Sequence, residues 1–452
     1  MSAPPEAVRR TDETSARAGA GDLTLYAAGS VGMGLWVTVP GLLLLYFLTR
    51  TLGVPAFLAG LTLLVPKIID VVVHPVLGSL SDRQARRRRH RRALLRWGLL
   101  LAVAWIAMFS VPAGLTGASA ALWVGCWCAA GNVLFACFQV PYLTTPSDLR
   151  IGYHERTRVF TFRMFFLTLG LLGAGVAAPA LVASGSHGAY ARMALLLAAV
   201  LVVSQLVALT GVRRLTDRCG FQVPDERAHS ALGDILTAWR DRDFRVLLLS
   251  YLFTGTTTHL FLAALPFYTE YVLHDRGLTA VLMGGFLVPA TVAGPGWLWV
   301  SRRIGKQRGL LLSQGAFVAG SLALLPGERL GVVVITAVVV VMGAAFAGLQ
   351  LLAFSMVPDA VAAAEARGSA RAGAYTGVWT ATEATGTALG PYVYSAALAI
   401  GGFASTTERH SPVQSHSAIV ALLLGFTVVP AVLMTIALAF QRRCALDRAA
   451  VP

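Results

Sequence analysis

The chain has 452 residues, of which 56% are hydrophobic and only 13% are charged. Soluble domains carry about 25% charged residues, so this composition excludes an ordinary soluble protein. The formal net charge of +15 would suit nucleic-acid binding. The arginines, however, are concentrated in every second loop, which is the pattern of a membrane protein whose positive loops stay on one side. No nucleic-acid partner is therefore predicted.

Apolar runs recur along the whole chain. A transmembrane helix needs roughly 20 mostly apolar residues, and twelve such runs are centred near residues 36, 68, 104, 133, 170, 200, 259, 290, 317, 344, 388 and 429. A transmembrane β-barrel would show short alternating segments instead. The sequence therefore predicts an all-α polytopic membrane protein with twelve transmembrane helices.

The helices fall into two groups of six, separated by a long polar loop. Residues 1–22 are polar and rich in Pro and Ala, which predicts a disordered cytoplasmic N-terminus. Residues 23–212 form a first six-helix bundle, and residues 213–245 form a cytoplasmic linker. Apolar residues at helical spacing in this linker predict an amphipathic helix on the membrane surface. Residues 246–441 form the second six-helix bundle, and residues 442–452 form a cytoplasmic tail.

Arginine clusters mark every second loop, at residues 83–96, 150–158, 213–245, 301–308, 367–371 and 442–448. Positive residues stay on the cytoplasmic side of a membrane. Both termini are therefore predicted to be cytoplasmic, in a multi-pass protein of the cell (plasma) membrane. The block RQARRRRHRR is also suited to contact anionic membrane lipid. No loop is long enough for a catalytic domain and there is no phosphate-loop motif, so neither enzyme activity nor a cofactor or metal is predicted.

The second apolar run carries an unusual set of ionisable residues. Lys67, Asp70, His74 and Gly78 are spaced by three, four and four residues, which places them on one stripe of a helix. Charged groups at this depth are costly and usually face a cavity or a partner. Asp70 is suited to hold a cation or a proton, and His74 to titrate near neutral pH. The alternative is a Lys67–Asp70 pair that only neutralises itself.

Other polar residues lie deep in the predicted helices. Gln139 and Tyr142 fall near one face of the fourth helix, and Arg163 is the only charge in the apolar run of the fifth. Arg163 must meet a carboxylate, a carbonyl oxygen or an anionic substrate group. In the eleventh helix, Glu383 is a second candidate for proton or ion coupling; its alternative is an internal salt bridge to Lys67 or Arg163.

Threonine and tryptophan side chains extend the set of substrate-binding candidates. Thr258 lies in a polar stretch of the seventh helix, and Thr380 in a polar stripe of the eleventh. Threonines in membrane helices also bond back to their own carbonyl groups. Trp36 and Trp379 are candidates to stack on a sugar or a lipid, and belt or packing positions are the alternative.

The two halves resemble each other where their second helices end. One ends in HPVLGSLSDR and the other in GPGWLWVSRRIGKQR, and each combines Pro and small residues with a basic loop. Two parallel six-helix repeats around a midplane site are the arrangement of a major facilitator fold.

Four stretches resemble the glycoside–pentoside–hexuronide:cation symporter family, the melibiose permease-like branch of the major facilitator superfamily. They are KIIDVVVHPVLGSLSDR, PYLTTPSDLRIGYHERTRVFTFRMFF, AWRDRDFRVLLLSYLF and SMVPDAVAAAEARGSARAGAYTGVWTATEATGTALG. In the family's cation site, which uses two acids of the second helix, Asp70 matches the first and His74 replaces the second. Arg163 matches a sugar-site residue. The family's other polar positions on helices 1, 4 and 11 are changed, at Gly34, near Gln139 and at Glu383.

The resemblance and the residues together predict a cation-coupled secondary transporter of a glycoside or related small polar molecule, working by alternating access. A proton is preferred to sodium as the coupling ion, because the second acid is missing. The residues assigned to coupling are Asp70, His74, Glu383 and Lys67. Those assigned to the substrate are Arg163, Gln139, Tyr142, Trp379, Thr380, Trp36 and Thr258.

Three other functions are considered. A transporter of lipids or other amphipathic molecules would use apolar cavity residues such as Met33, Trp36 and Leu260. A proton-driven exporter of a metabolite or drug would suit the change at Glu383. Intramembrane charges in both halves argue against a non-transporting membrane sensor. The predicted partners are a small-molecule substrate and membrane lipid, and the protein is predicted to be a monomer.

Overall fold

The computed structural model describes residues 18–223, 239, 241–366, 372–407 and 412–444. In these ranges the backbone is almost entirely helical, and strand pairing is limited to two isolated bridges, Leu52 with Thr407 and Leu149 with Phe221. The predicted amphipathic helix of the linker lies outside the described residues except for Trp239, and the same holds for most of the predicted disordered N-terminus and C-terminal tail.

Six helical segments make up the N-terminal half. α1 begins as Ala20–Ala27 and Gly29–Val39 and ends in two π-helical turns, Pro40–Leu44 and Phe47–Thr51. The others are α2 (Ala56–Arg88), α3 (Arg92–Trp97 and Leu101–Phe109, joined by a short 3-10 turn), α4 (Gly117–Asp148), α5 (Tyr153–Leu181) and α6 (His187–Cys219).

Six more segments make up the C-terminal half. They are α7 (Arg242–Tyr271), α8 (Leu278–Val292 and Gly294–Ile304), α9 (Lys306–Ala323), α10 (Gly331–Ala366), α11 (Ala372–Ile400) and α12 (His416–Gln441). The two parts of α8 meet at a 52° bend, beside a Gly-Pro-Gly sequence that cannot continue a regular helix because Pro lacks an N–H group.

Within the described residues, eight of the helices are long and apolar enough to cross a membrane, and the two parts of α8 together make a ninth. The remaining three, α2, α9 and α11, contain more polar side chains. Each of the twelve predicted apolar runs coincides with one of these helices, so the predicted all-α, twelve-helix architecture is confirmed.

Two helices extend past the predicted domain boundaries into polar sequence. α1 begins at Ala20, inside the predicted disordered segment, and α6 continues past residue 212 to Cys219. An ion pair of 2.6 Å joins Asp22 of α1 to Arg218 of α6 and stabilises both extensions. α7 begins at Arg242, where the carboxylate of Asp241 accepts hydrogen bonds from two backbone amides of the first turn.

The two halves contact each other near the loops that contain few arginines. Gly60 of α2 packs against Ser395 of α11, and Gly175 of α5 packs against Leu287 of α8. Tyr46 at the end of α1 meets Phe267 of α7 with ring centroids 5.1 Å apart. These contacts close the space between the halves on the predicted external side.

Candidate transport site

The stripe of ionisable residues on α2 forms one connected cluster. Lys67 Nζ lies 3.4 Å from Asp70 Oδ2, and His74 Nδ1 lies 3.1 Å from Asp70 Oδ1. Helical spacing of three and four residues brings the three side chains together. The carboxylate of Asp70 is buried. The N-terminal half therefore contains a buried acidic group that is flanked by two basic side chains.

The Oδ1 oxygen of this buried carboxylate has no well-aligned hydrogen bond among the described residues. The hydrogen bond of His74 Nδ1 goes to the backbone carbonyl oxygen of Asp70, 2.9 Å away. Oδ1 lies 3.1 Å from the same imidazole nitrogen and has no hydrogen-bond partner within the described part of the chain. An acceptor oxygen in such a place is suited to take up a proton or a cation.

Gln139 belongs to the same cluster. Its Oε1 lies 3.1 Å from His74 Nε2, which joins α4 to α2. The structure therefore brings one predicted substrate residue into contact with a predicted coupling residue. Asn132, on the same helix, donates a hydrogen bond of 3.1 Å to the carbonyl oxygen of Pro66 and fixes the position of α4 against α2.

Arg163 lies half-buried on α5 without a carboxylate partner among the described residues. Its guanidinium carbon sits 4.8 Å from the ring centroid of Phe160, and Nη2 is 3.5 Å from the sulfur of Met164. Both neighbours, Phe160 and Met164, are themselves exposed. The positive charge is therefore accessible to an anionic or hydroxyl-rich group.

A second polar cluster lies in the C-terminal half. The hydroxyl of Tyr251 on α7 is 3.4 Å from Oε1 of Glu383 and 3.5 Å from Oε1 of Gln350. Because a hydroxyl carries one hydrogen, it can donate fully to only one of these acceptors at a time. The predicted alternative for Glu383, a salt bridge to Lys67 or Arg163, does not occur within the described part of the chain.

The two tryptophans that are predicted to contact the substrate have different surroundings in this structure. Trp379 stacks on Tyr251 with centroids 4.0 Å apart, and its buried indole nitrogen Nε1 has no hydrogen-bond partner among the described residues. That N–H group is thus a donor whose hydrogen bond the described contacts do not use. Trp36, by contrast, is 4% exposed and packs between Trp105 and Phe135, at 5.9 and 5.7 Å. Its position corresponds to the packing alternative, because neighbouring rings cover it.

Three other predicted substrate residues have different surroundings. Tyr142 is fully buried; its hydroxyl donates to the carbonyl oxygen of Tyr26 at 2.8 Å, so it fastens α4 to α1. Thr258 is buried and bonds back to the carbonyl oxygen of Gly255 at 3.1 Å, as the alternative for membrane threonines anticipated. Thr380 is exposed.

Two further polar residues lie in the C-terminal half. His259 Nε2 lies 3.4 Å from the hydroxyl of Thr387 and joins α7 to α11. Gln350 is the other residue, and its isolated amide in the apolar sequence FAGLQLLAF of α10 was the signal that could have identified it.

Gly34 shows why one polar position of the family is missing. A Cβ atom there would lie 2.6 Å from the backbone nitrogen of Leu171 and 2.7 Å from the carbonyl carbon of Gly170. α1 and α5 approach so closely at this point that no side chain fits between them. An acid at position 34 would require the two helices to separate.

A family model described as MFS/sugar transport protein matches residues 25–448. The chain belongs to this family. The resemblance seen in four sequence stretches is thereby confirmed, and the protein is a multi-pass membrane transporter of a small molecule, not an enzyme.

Curated relatives match this transporter over most of its length. The isoprimeverose transporter of Lactiplantibacillus pentosus is 26% identical over 440 residues, which cover 92% of this chain and 87% of that relative. The sodium-dependent lysophosphatidylcholine symporter 1 of Mus musculus is 22% identical over 372 residues, 74% of this chain and 69% of that relative. An uncharacterized symporter of Synechocystis is 31% identical, but over 148 residues that span only 27% of its length.

Solved structures of other transporters share the fold. A bacterial homolog of the human lysosomal transporter Spinster superposes with a TM-score of 0.69 and 14% identity, covering 95% of this chain and 97% of that chain. A nucleoside transporter gives a TM-score of 0.66 with 16% identity, covering 93% and 99%. At these identities the likeness shows the major facilitator fold alone.

Proposed function

We propose that this transporter moves a glycoside or related small polar molecule by cation-coupled alternating access, with a proton as the coupling ion. The observation that carries the proposal is the buried carboxylate of Asp70, which lies beside Lys67 and His74 and whose Oδ1 has no hydrogen-bond partner among the described residues. Protonation removes the charge of a buried carboxylate and so lowers the cost of moving it through a closed state. The relative named as an isoprimeverose transporter supports the glycoside class.

The neighbours of Asp70 favour a proton over sodium. Hard metal cations prefer several oxygen ligands, whereas the groups beside this carboxylate are an ammonium and an imidazole. The amide oxygen Oε1 of Gln139 already contacts His74. The ammonium of Lys67 would also repel a metal ion, whereas a proton needs only one acceptor.

The binding groups for the substrate would come from both halves. Arg163 offers a guanidinium from the N-terminal half, and Glu383 offers a carboxylate from the C-terminal half. The indole N–H of Trp379 is a further donor. Donors and acceptors of this kind match sugar hydroxyl groups. A lipid substrate is less well supported, because the apolar side chains proposed to contact it, Met33, Trp36 and Leu260, are buried.

The proposal extends to the protein's setting. We place the transporter in the plasma membrane with both termini in the cytoplasm, as a monomer without a cofactor. The basic loop after α2 would contact anionic lipid headgroups.

Uptake into proteoliposomes tests the proposal directly. A panel of labelled glycosides, with a lysophospholipid for comparison, is offered under an imposed proton gradient or an imposed sodium gradient. We expect accumulation of a glycoside that follows the proton gradient and ignores sodium at constant pH. Asp70→Asn should lose accumulation, because it cannot bind the proton, while keeping downhill exchange.

A variant of the second helix provides the matched comparison. His74→Asp restores a second acid beside Asp70 and should shift the protein toward sodium stimulation, whereas His74→Asn, which adds no charge, should not. Sodium-driven uptake by the unaltered protein, without response to a proton gradient, would contradict the assigned coupling ion. Transport of the lysophospholipid alone would contradict the substrate class, and movement only out of the compartment would favour the exporter.

A further inference from the structure

A buried ion cluster joins the two halves on the external side. The carboxylate of Glu270, near the end of α7, accepts a hydrogen bond of 2.8 Å from Nε of Arg50 and one of 2.9 Å from Nε of Arg276. The hydroxyl of Tyr46 and a second nitrogen of Arg276 also donate to it. One carboxylate thus receives two guanidinium groups and a phenol.

The cluster is not an ordinary surface salt bridge. The side chains of Arg50, Glu270 and Arg276 are 17%, 10% and 31% exposed. Exposed pairs contribute little because water screens them, whereas breaking a buried pair leaves an uncompensated charge. The ion pairs of this cluster therefore help to hold the two halves together.

The members of the cluster come from different halves. Tyr46 and Arg50 lie about one turn apart near the end of α1, in the N-terminal half; Tyr46 directly precedes the second π-helical turn, and Arg50 lies within it. Glu270 and Arg276 lie six residues apart at the end of α7 and in the loop that follows it. When the halves separate, Glu270 can keep Arg276, but it must release Arg50 and Tyr46.

Further hydrogen bonds cross the same interface. Nη1 of Arg50 donates to the hydroxyl of Thr406, 2.9 Å away, and the backbone nitrogen of Thr406 donates to the carbonyl oxygen of Thr49, also at 2.9 Å. Nη1 of Arg276 donates to the carbonyl oxygen of Ser184, 3.3 Å away, in the loop after α5. Arg50 is thus held by two external segments of the opposite half.

We propose that Arg50, Glu270, Arg276 and Tyr46 form the external gate of the transporter. The closed gate holds the outer ends of the two halves together, and its opening separates Arg50 and Tyr46 from Glu270. Because Arg276 stays with Glu270 on the same half, the carboxylate keeps one cation in the open state, and Arg50 is released into water. Neither charge is then left buried without a partner, so the free energy needed to open the gate is lowered and the contact can form and break repeatedly. The inference rests on the alternating access of the proposed function.

A cysteine at position 395 reports on the gate. Ser395 is buried on α11, and a Cβ atom on Gly60 of the opposite half would lie only 1.8 Å from its hydroxyl oxygen. Ser395→Cys should therefore react with a membrane-impermeant thiol reagent, added outside intact cells, only when the external side opens. The parent protein with its five native cysteines supplies the background rate.

Breaking the ion pair between Arg50 and Glu270 should make the cysteine at position 395 accessible to the reagent. We expect Glu270→Gln and Arg50→Gln each to raise the labelling rate of the cysteine about fivefold or more, the range of a coupling between two conformations. The labelling rate of the double variant should be no higher than that of either single variant, because both substitutions break the same ion pair. The matched control is Glu328→Gln, since Glu328 is exposed and pairs with His274 of the same half at 3.9 Å; it should leave the rate unchanged.

An unchanged rate in both single variants would overturn the gate, and so would equal increases in the Glu328 control. A variant that fails to fold is recognised by a lowered Tm and loss of a single peak in size-exclusion chromatography. Glu270→Asp, which keeps the carboxylate, should label more slowly than Glu270→Gln. Labelling requires no substrate and no ion gradient, so a failed uptake assay would leave this result intact.

Discussion

Arg163 places a permanent positive charge on the half-buried face of α5, next to an aromatic ring and a thioether. A ring face and a sulfur atom compensate a guanidinium only weakly. Hydrogen bonds to charged groups are the stronger ones in proteins, so this side chain has most to gain from a substrate oxygen.

Replacing this arginine should therefore remove transport while the protein still reaches the membrane. We expect Arg163→Ala to reduce uptake about tenfold or more, the effect of losing one hydrogen bond to a charged group. Membrane abundance by quantitative blotting and substrate uptake in the same cells are the two measurements. Arg192→Ala on the external side of α6, where the arginine bonds only to its own helix among its described contacts, serves as the control. Normal uptake by Arg163→Ala would show that the site does not need the guanidinium.

The polar cluster of α2 is set by the helix itself, whereas the position of α1 is set by its packing against α5. Lys67, Asp70 and His74 meet because they share one helix. α1 owes its position to close contact with α5, where Gly170 lies against the backbone of Val31. Small residues let membrane helices approach in this way.

A single methyl group should disturb that contact. In Gly170→Ala the new Cβ would lie 2.5 Å from the carbonyl oxygen of Val31, so the helices must move apart. We expect a loss of about 2 kcal/mol in stability, as for other overpacked sites, seen as a lower Tm in detergent. Gly173→Ala is the control on the same helix, since its Cβ would meet no atom within 4 Å. Equal Tm values for the two variants would contradict the close approach of α1 and α5.

At the scale of the whole molecule, alternating loops of high and low arginine content predict the orientation in the membrane. The structure pairs this pattern with a contact between the halves on the predicted external side, through the proposed gate. Orientation therefore decides which compartment the closed side faces.

Labelling from each side of the membrane tests the orientation. A cysteine introduced as Arg88→Cys, at the end of α2, should react only with reagent on the cytoplasmic side. One introduced as Thr407→Cys, beside α11, should react only from outside. The native cysteines again provide the background. Both positions reacting from the same side, or in the reverse order, would refute the twelve-helix topology with cytoplasmic termini.

The sequence by itself determined the features that depend on local spacing and on composition. Hydrophobic runs predicted the helices because lipid requires every backbone polar group to be satisfied within the segment. The spacing of Lys67, Asp70 and His74 predicted their cluster, because residues three and four apart share a helix face. α1 and α6 extend past the predicted boundaries, because a helix does not end where the hydrophobic run ends.

Only the tertiary structure decided which partners the polar and aromatic residues have. Trp36 and Tyr142 are predicted substrate residues, and in this structure Trp36 packs against the ring of Trp105 while the hydroxyl of Tyr142 donates to the carbonyl oxygen of Tyr26. Gln139 met His74 across 65 positions, and Glu270 met Arg50 across 220. Such partners are set by how the helices pack, and no short-range pattern in the chain records that packing.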